Sequence, residues 1–144
     1  GTVSLDPQQA TYHYGDVVEL TATPALGWSF ANWTGDATGT TSPVEVTITG
    51  NTSVIAHFTQ NEYTLTVTVD PDDSGTVSLD PQQATYHYGD VVELTATPNP
   101  LWSFAGWSGD ASGTDNPLTI TILGNTEIIA NFQRFWIYFP LISR

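Results

Sequence analysis

Two stretches, WSFANWTGD at 28–36 and WSFAGWSGD at 102–110, hold the side chains of most chemical interest. Trp28, Phe30 and Trp33, and likewise Trp102, Phe104 and Trp107, offer flat aromatic faces of the kind that stack on sugar rings. Sugar stacking by Trp28, Trp33, Trp102 and Trp107, and hence cell-surface glycans as partners, is one reading. Packing competes with it, because a small β-domain without disulfides needs large side chains in its core. Trp28 and Trp33 fall on opposite faces of a strand, so one of the two is expected to be partly exposed.

The other candidates are polar. Asp70, Asp72 and Asp73 crowd one short loop, DPDDSG, which could hold Ca²⁺ loosely but lacks the ligand spacing of an EF-hand. A solvated hairpin turn is the better expectation. His13, His57 and His87 share no metal-ligand spacing. Asp16, Glu19 and Asp36 recur as Asp90, Glu93 and Asp110, and such duplication suits turn-making more than a single catalytic pair. Asn32 and Asn51 stand in N-x-S/T sequons, and both sequons are lost in the second copy, at Gly106 and Glu127. Glycosylation at Asn32 or Asn51 is one use of them. No nucleophile–base pair or metal cluster stands out. The chain is read as a non-enzyme without cofactor or metal.

The totals remove further classes. Net charge is −13, with Arg134 and Arg144 the only basic residues besides histidine. Nucleic acid is therefore excluded, since its binding rests on Lys and Arg neutralising phosphates. An anionic membrane surface is disfavoured for the same reason. With no Cys, disulfides and thiol chemistry are excluded. No signal-peptide pattern opens the sequence, and no run reaches the ~20 apolar residues of a transmembrane segment.

The elements that carry these residues are duplicated. Residues 1–24 recur identically at 75–98, and the offset of 74 holds without gaps to Phe132. Runs such as YTLTVTVD (63–70), VVELTAT (17–23) and VEVTITG (44–50) alternate with period 2, the pattern of half-buried strands. Turn signals at Asp6-Pro7, Gly15-Asp16, Gly35-Asp36 and Gly50-Asn51 separate them. The expected fold is all-β: two tandem small antiparallel domains, sandwich-like or β-grasp-like, of about six short strands each, with little or no helix. The boundaries are 1–60 for domain 1, 61–134 for domain 2 and 135–144 for a C-terminal segment.

The runs GDVVELTATP and W-x-F-x-x-W-x-G-D, with the closing A-N-F at 130–132, resemble the divergent InlB-type B-repeat family. The resemblance covers nearly all of residues 1–134. It implies a bacterial protein, extracellular or at the cell surface, built of small β-domains often arrayed as spacers, with no common enzymatic site.

The repeat frame also interprets the ending, RFWIYFPLISR (134–144). Shifted by 74, Ile137 overlies Tyr63, Phe139 overlies Leu65 and Leu141 overlies Val67. The segment thus matches the first strand of a further repeat, while domain 1 begins at GTVSLD without that strand. An unfilled strand position leaves backbone groups unpaired and an apolar slot open. The expectation is donor-strand complementation. Trp136, Ile137, Tyr138, Phe139, Leu141 and Ile142 would form the donor interface, and Val3 and Leu5 would belong to the acceptor domain. Donation between chains gives a head-to-tail homopolymer. Trp136, Tyr138 and Ile142 make the second face of the segment apolar too, and Pro140 suits an edge strand. The rival expectations are a monomeric adhesin or carbohydrate-binding spacer with a C-terminal sorting tag, and a stretch of a longer array.

Overall fold

The computed structural model describes residues 1–135. The donor segment from Trp136 to Ile142 lies outside the described residues. The chain divides into two compact units, Gly1–Asn61 and a second beginning at Glu62.

In unit 1, the strands are β1 (Thr2–Asp6), β2 (Val17–Thr23), β3 (Trp28–Gly35), β4 (Val44–Thr47) and β5 (Val54–Gln60). They form two sheets, β1-β2-β4 and β3-β5, with every pairing antiparallel. Period-2 alternation decides which residues enter the core. Val18, Leu20 and Ala22 of β2 are buried while Val17, Glu19 and Thr23 face solvent. Trp33 and Val46 join that core from β3 and β4.

Unit 2 repeats this plan and adds one strand. Its elements are β6 (Leu65–Asp70), β7 (Gly75–Asp80), β8 (Val91–Pro98), β9 (Trp102–Gly109), β10 (Leu118–Thr121) and β11 (Thr126–Arg134). The sheets are β7-β8-β10 and β6-β11-β9. With no helix among the described residues, each unit buries its apolar faces sheet against sheet, as a sandwich.

The antiparallel plan carries one exception, and the expected hairpin at DPDDSG needs correction. The sheets are not purely antiparallel, because β6 runs parallel to β11, from Leu65 beside Thr126 to Asp70 beside Asn131. Nor do β6 and β7 form a hairpin: they lie in different sheets, and DPDDSG crosses between them. That crossing is held by its own bonds. Ser74 is fully buried, and its hydroxyl donates to the Pro71 carbonyl at 2.5 Å. Asn99 donates its backbone N–H to the Ser74 carbonyl at 3.0 Å and its side-chain amide to the Asp73 carbonyl at 2.8 Å. A parallel neighbour cannot be reached by a tight turn, so β6 and its ladder partner β11 are far apart in sequence.

The Gly-Asp pairs after β3 and β9 have a packing reason. Gly109 adopts φ 91°, and a Cβ there would stand 2.5 Å from the Glu127 carbonyl oxygen. Asp110 then donates its N–H to that carbonyl at 2.8 Å and accepts the Glu127 N–H on its carboxylate at 2.8 Å. Gly113 has a similar φ of 99° but open space around it. Gly113→Ala should therefore cost only the left-handed backbone penalty, about 1–2 kcal/mol. Gly109→Ala also meets backbone and should cost about 3 kcal/mol or more, as read by urea denaturation of the two variants side by side.

Candidate functional site: an open strand groove

The aromatic clusters are positioned by a bulged antiparallel pair in each unit. In unit 1 the β3–β5 register slips between Phe30 and Asn32, which turns both Phe30 and Trp33 toward the core. Their ring centroids are 5.0 Å apart, and Trp33 Nε1 donates to the Thr41 carbonyl at 2.8 Å. Phe104 and Trp107 repeat the contact at 4.9 Å, with Trp107 Nε1 donating to the Asp115 carbonyl at 2.6 Å. Trp33 and Trp107 are 1% and 4% exposed. Neither has a ring face open to a sugar. Trp28 is 40% exposed, and Trp102 is half-buried beneath the Arg134 guanidinium at 6.0 Å.

The polar candidates make turns. Asp16 and Asp90 accept the N–H of His13 and His87, each at 2.8 Å. Asp36 accepts the Ser53 N–H at 2.7 Å. His57 meets Thr34 Oγ1 at 2.6 Å, and its counterpart Asn131 donates to Ser108 Oγ at 2.9 Å. Among the described residues no group of three His, Asp or Glu is placed to hold a metal ion, the Asp70–Asp73 loop included. Asn32 is half-buried and donates to the Trp33 carbonyl at 3.3 Å.

The distinctive feature is a cavity of about 510 Å³ in unit 1, whose lining includes Val3, Leu5, Tyr12, Leu20, Trp33 and Val54. Asn51 and Thr52 also line it, and no charged side chain does. The cavity lies where unit 2 carries β6. There, Leu65, Val67 and Val69 pack on the core, and Ile122, Ile128 and Ala130 are at most 1% exposed. Their unit 1 counterparts Ile48, Val54 and Ala56 are only half-buried. Tyr86 is 1% exposed, whereas Tyr12, in an identical local sequence, is half-buried.

The backbone differs in the same way. In unit 2, Tyr63 and Tyr86 exchange N–H to carbonyl bonds of 2.7 and 2.8 Å, and Thr126 donates its N–H to the Thr64 carbonyl at 2.9 Å. The Thr64 N–H donates to Asn125 Oδ1 at 3.0 Å. In a parallel ladder, alternate residues face one neighbour, so Thr126, Ile128 and Ala130 turn their backbone groups toward β6. The corresponding residues Thr52, Val54 and Ala56 border β5, whose second edge pairs with no strand among the described residues. The main-chain groups of Tyr12 and the Asn51 amide likewise have no hydrogen-bond partner among the described residues.

Sequence reasoning placed Val3 and Leu5 in the acceptor domain, and both line the groove. They face it from the β1 sheet, whereas the ladder edge left unpaired among the described residues belongs to β5. Tyr12, Val54 and Ala56 were missed, and Asn51, read only as a sequon, borders the groove. The available signal was GNT at 50–52, recurring at 124–126, together with Tyr12 recurring as Tyr86.

A family model described as "Divergent InlB B-repeat domain" matches residues 1–62 and again 65–135. No curated protein and no solved structure matches the chain.

An unpaired edge exchanges its amide hydrogens readily. In the monomeric chain the amides of Val54 and Ala56 should exchange about tenfold or more faster than those of Ile128 and Ala130, as measured residue by residue by NMR.

Proposed function

Because the chain belongs to the divergent InlB B-repeat domain family, whose members are in general bacterial and surface-associated, we propose that it is an extracellular, non-enzymatic structural subunit. In this reading it polymerises head to tail, residues 135–144 of one copy entering the unit 1 groove of the next. The observation that carries it is the groove itself: apolar, uncharged, about 510 Å³, and equivalent to the place that β6 fills in unit 2.

Three arguments support the segment as occupant. Its inward positions Ile137, Phe139 and Leu141 fall on Tyr63, Leu65 and Val67 in the repeat frame, and Tyr63, Leu65 and Val67 pack on the unit 2 core. Burying each apolar side chain contributes roughly 1.5–3 kcal/mol before the cost of ordering the segment. The spacing also agrees. β5 ends at Gln60 and β6 starts at Leu65; β11 ends at Arg134 and the corresponding apolar position is Phe139. Entry into another copy's unit 1 would repeat, without a covalent bond, the step that joins unit 1 to unit 2 within one chain. Such contacts are heterologous and form open filaments when the rotation does not close.

Of Trp28, Trp33, Trp102 and Trp107, the glycan-binding alternative keeps Trp28 and Trp102 as accessible rings. The charge of −13 per chain opposes association, so screening by salt should favour the polymer.

Negative-stain microscopy and light scattering of the full chain test the reading. Filaments are expected from the parent chain, increasingly at higher salt. Monomers are expected from Phe139→Asp and from a chain ending at Arg134. A parent chain that stays monomeric at high concentration and salt, or filaments that persist in the chain ending at Arg134, would overturn it and leave a sorting tag as the better account of the ending.

A further inference from the structure

We propose that Asn51 sets the register of the entering strand, its side-chain Oδ1 accepting the backbone N–H of Tyr138; this inference rests on the head-to-tail reading. The template is in unit 2, where Asn125 Oδ1 accepts the Thr64 N–H at 3.0 Å and lies 3.4 Å from the Thr64 hydroxyl. Asn125 and Thr64 are the frame counterparts of Asn51 and Tyr138. Asn51 borders the groove, and its amide has no other partner among the described residues.

The register that follows is specific. Leu65 pairs with Thr126 and Val67 with Ile128 in parallel, so Phe139 lies beside Thr52, Leu141 beside Val54, and Ile142 beside Ile55. Ile137 takes the place of Tyr63 and meets the Tyr12 main chain. A slip of one residue would turn Phe139 and Leu141 out of the groove. A slip of two would keep the apolar face inward, so hydrophobicity alone cannot forbid it. A polar anchor can.

Pro140 makes the anchor more necessary. It stands at the Thr66 position, whose N–H faces β11 in the internal ladder, and proline has no N–H to give. The entering strand therefore forgoes the bond to the Thr52 carbonyl. Upstream of that gap its polar contacts are those at Tyr12, Thr52 and Asn51. Asn51 is a positioning residue, acting on the strand's backbone and indifferent to the side chain at 138.

The test uses full-length protein carrying Phe139→Asp, so that its own ending does not compete. The probe is a labelled peptide of residues 61–70, NEYTLTVTVD, the strand that already fills this position in unit 2. Asn51→Ala should weaken peptide binding about five- to tenfold, the loss of one hydrogen bond, while Asn51→Asp, which retains an acceptor oxygen, should stay within about twofold. A peptide N-methylated at Thr64 should bind the parent weakly and lose little more against Asn51→Ala. Register is read separately in chains retaining Phe139. The protein has no Cys, so Ile55→Cys with Ile142→Cys introduces its only thiols and should give disulfide-linked multimers. Ile55→Cys with Pro140→Cys should link only when Asn51→Ala is also present. Equal peptide binding by the parent and Asn51→Ala, with the cross-links unchanged, would overturn the role of Asn51 and leave the head-to-tail reading standing. Failure of the peptide to bind the parent, with no cross-link from either pair, would overturn the head-to-tail reading itself.

Discussion

The parallel pairing of β6 with β11 is the contact on which the closed sandwich of unit 2 depends. β6 supplies ladder bonds to β11 and sets Leu65, Val67 and Val69 over the core. Ile122, Ile128 and Ala130 owe their near-complete burial to that cover. Among the described residues no strand lies beside the second edge of β5, and the unit 1 core is open along that side. Residues 1–24 and 75–98 are identical, yet Val3 is 40% exposed while Val77 is half-buried. Local sequence is the same in the two units; what differs is the strand above it.

The conserved plan around that contact rests on many small backbone constraints. The Gly-Asp pairs close β3 onto β5 and β9 onto β11 through carboxylate-to-amide bonds. Tyr12 and Tyr86 clasp the loops after β1 and β7, each hydroxyl donating to a proline carbonyl, at 2.8 and 2.7 Å. The indole N–H groups of Trp33 and Trp107 are satisfied inside, as buried polar atoms require. These bonds use the residues that looked most like chemistry in the sequence. What remains available in unit 1 is main chain and one amide at the rim of an apolar groove, an arrangement suited to holding a strand.

Much of this was legible in the sequence. Period-2 alternation in 17–23 and 63–70 places strands β2 and β6, and the duplicated Asp16, Asp36, Asp90 and Asp110 make turns as expected, whereas Glu19 and Glu93 lie within β2 and β8 instead. The gap-free offset of 74 pairs each residue of unit 1 with its counterpart in unit 2. Other features were not legible. DPDDSG has every local mark of a hairpin, but Ser74 is buried and tied to Asn99, so the chain crosses to the other sheet. That Asn51, one of the sequon residues, borders the groove was not legible either, because a sequence motif carries no record of what the side chain lies beside. Alternation put Trp28 and Trp33 on opposite faces, but the bulge after Phe30 shifts the parity: Trp28, Phe30 and Trp33 pair with Gln60, Phe58 and Ala56 and share one face, and Trp28 is exposed at the start of β3.

By itself, the sequence determined the all-β class, the two units and their frame, and the inward residues of the strands without bulges, such as β2 and β6. Those are properties of neighbours along the chain, and alternation and turn chemistry report them directly. Only the tertiary structure decided that β6 lies parallel to β11 rather than in a hairpin with β7, and that the edge of unit 1 left unpaired among the described residues is that of β5. Strand pairing joins residues some 60 positions apart, such as Leu65 and Thr126. Its direction is set by which sheet face the connecting loop can cross, a choice made by packing that leaves no periodic trace in either strand.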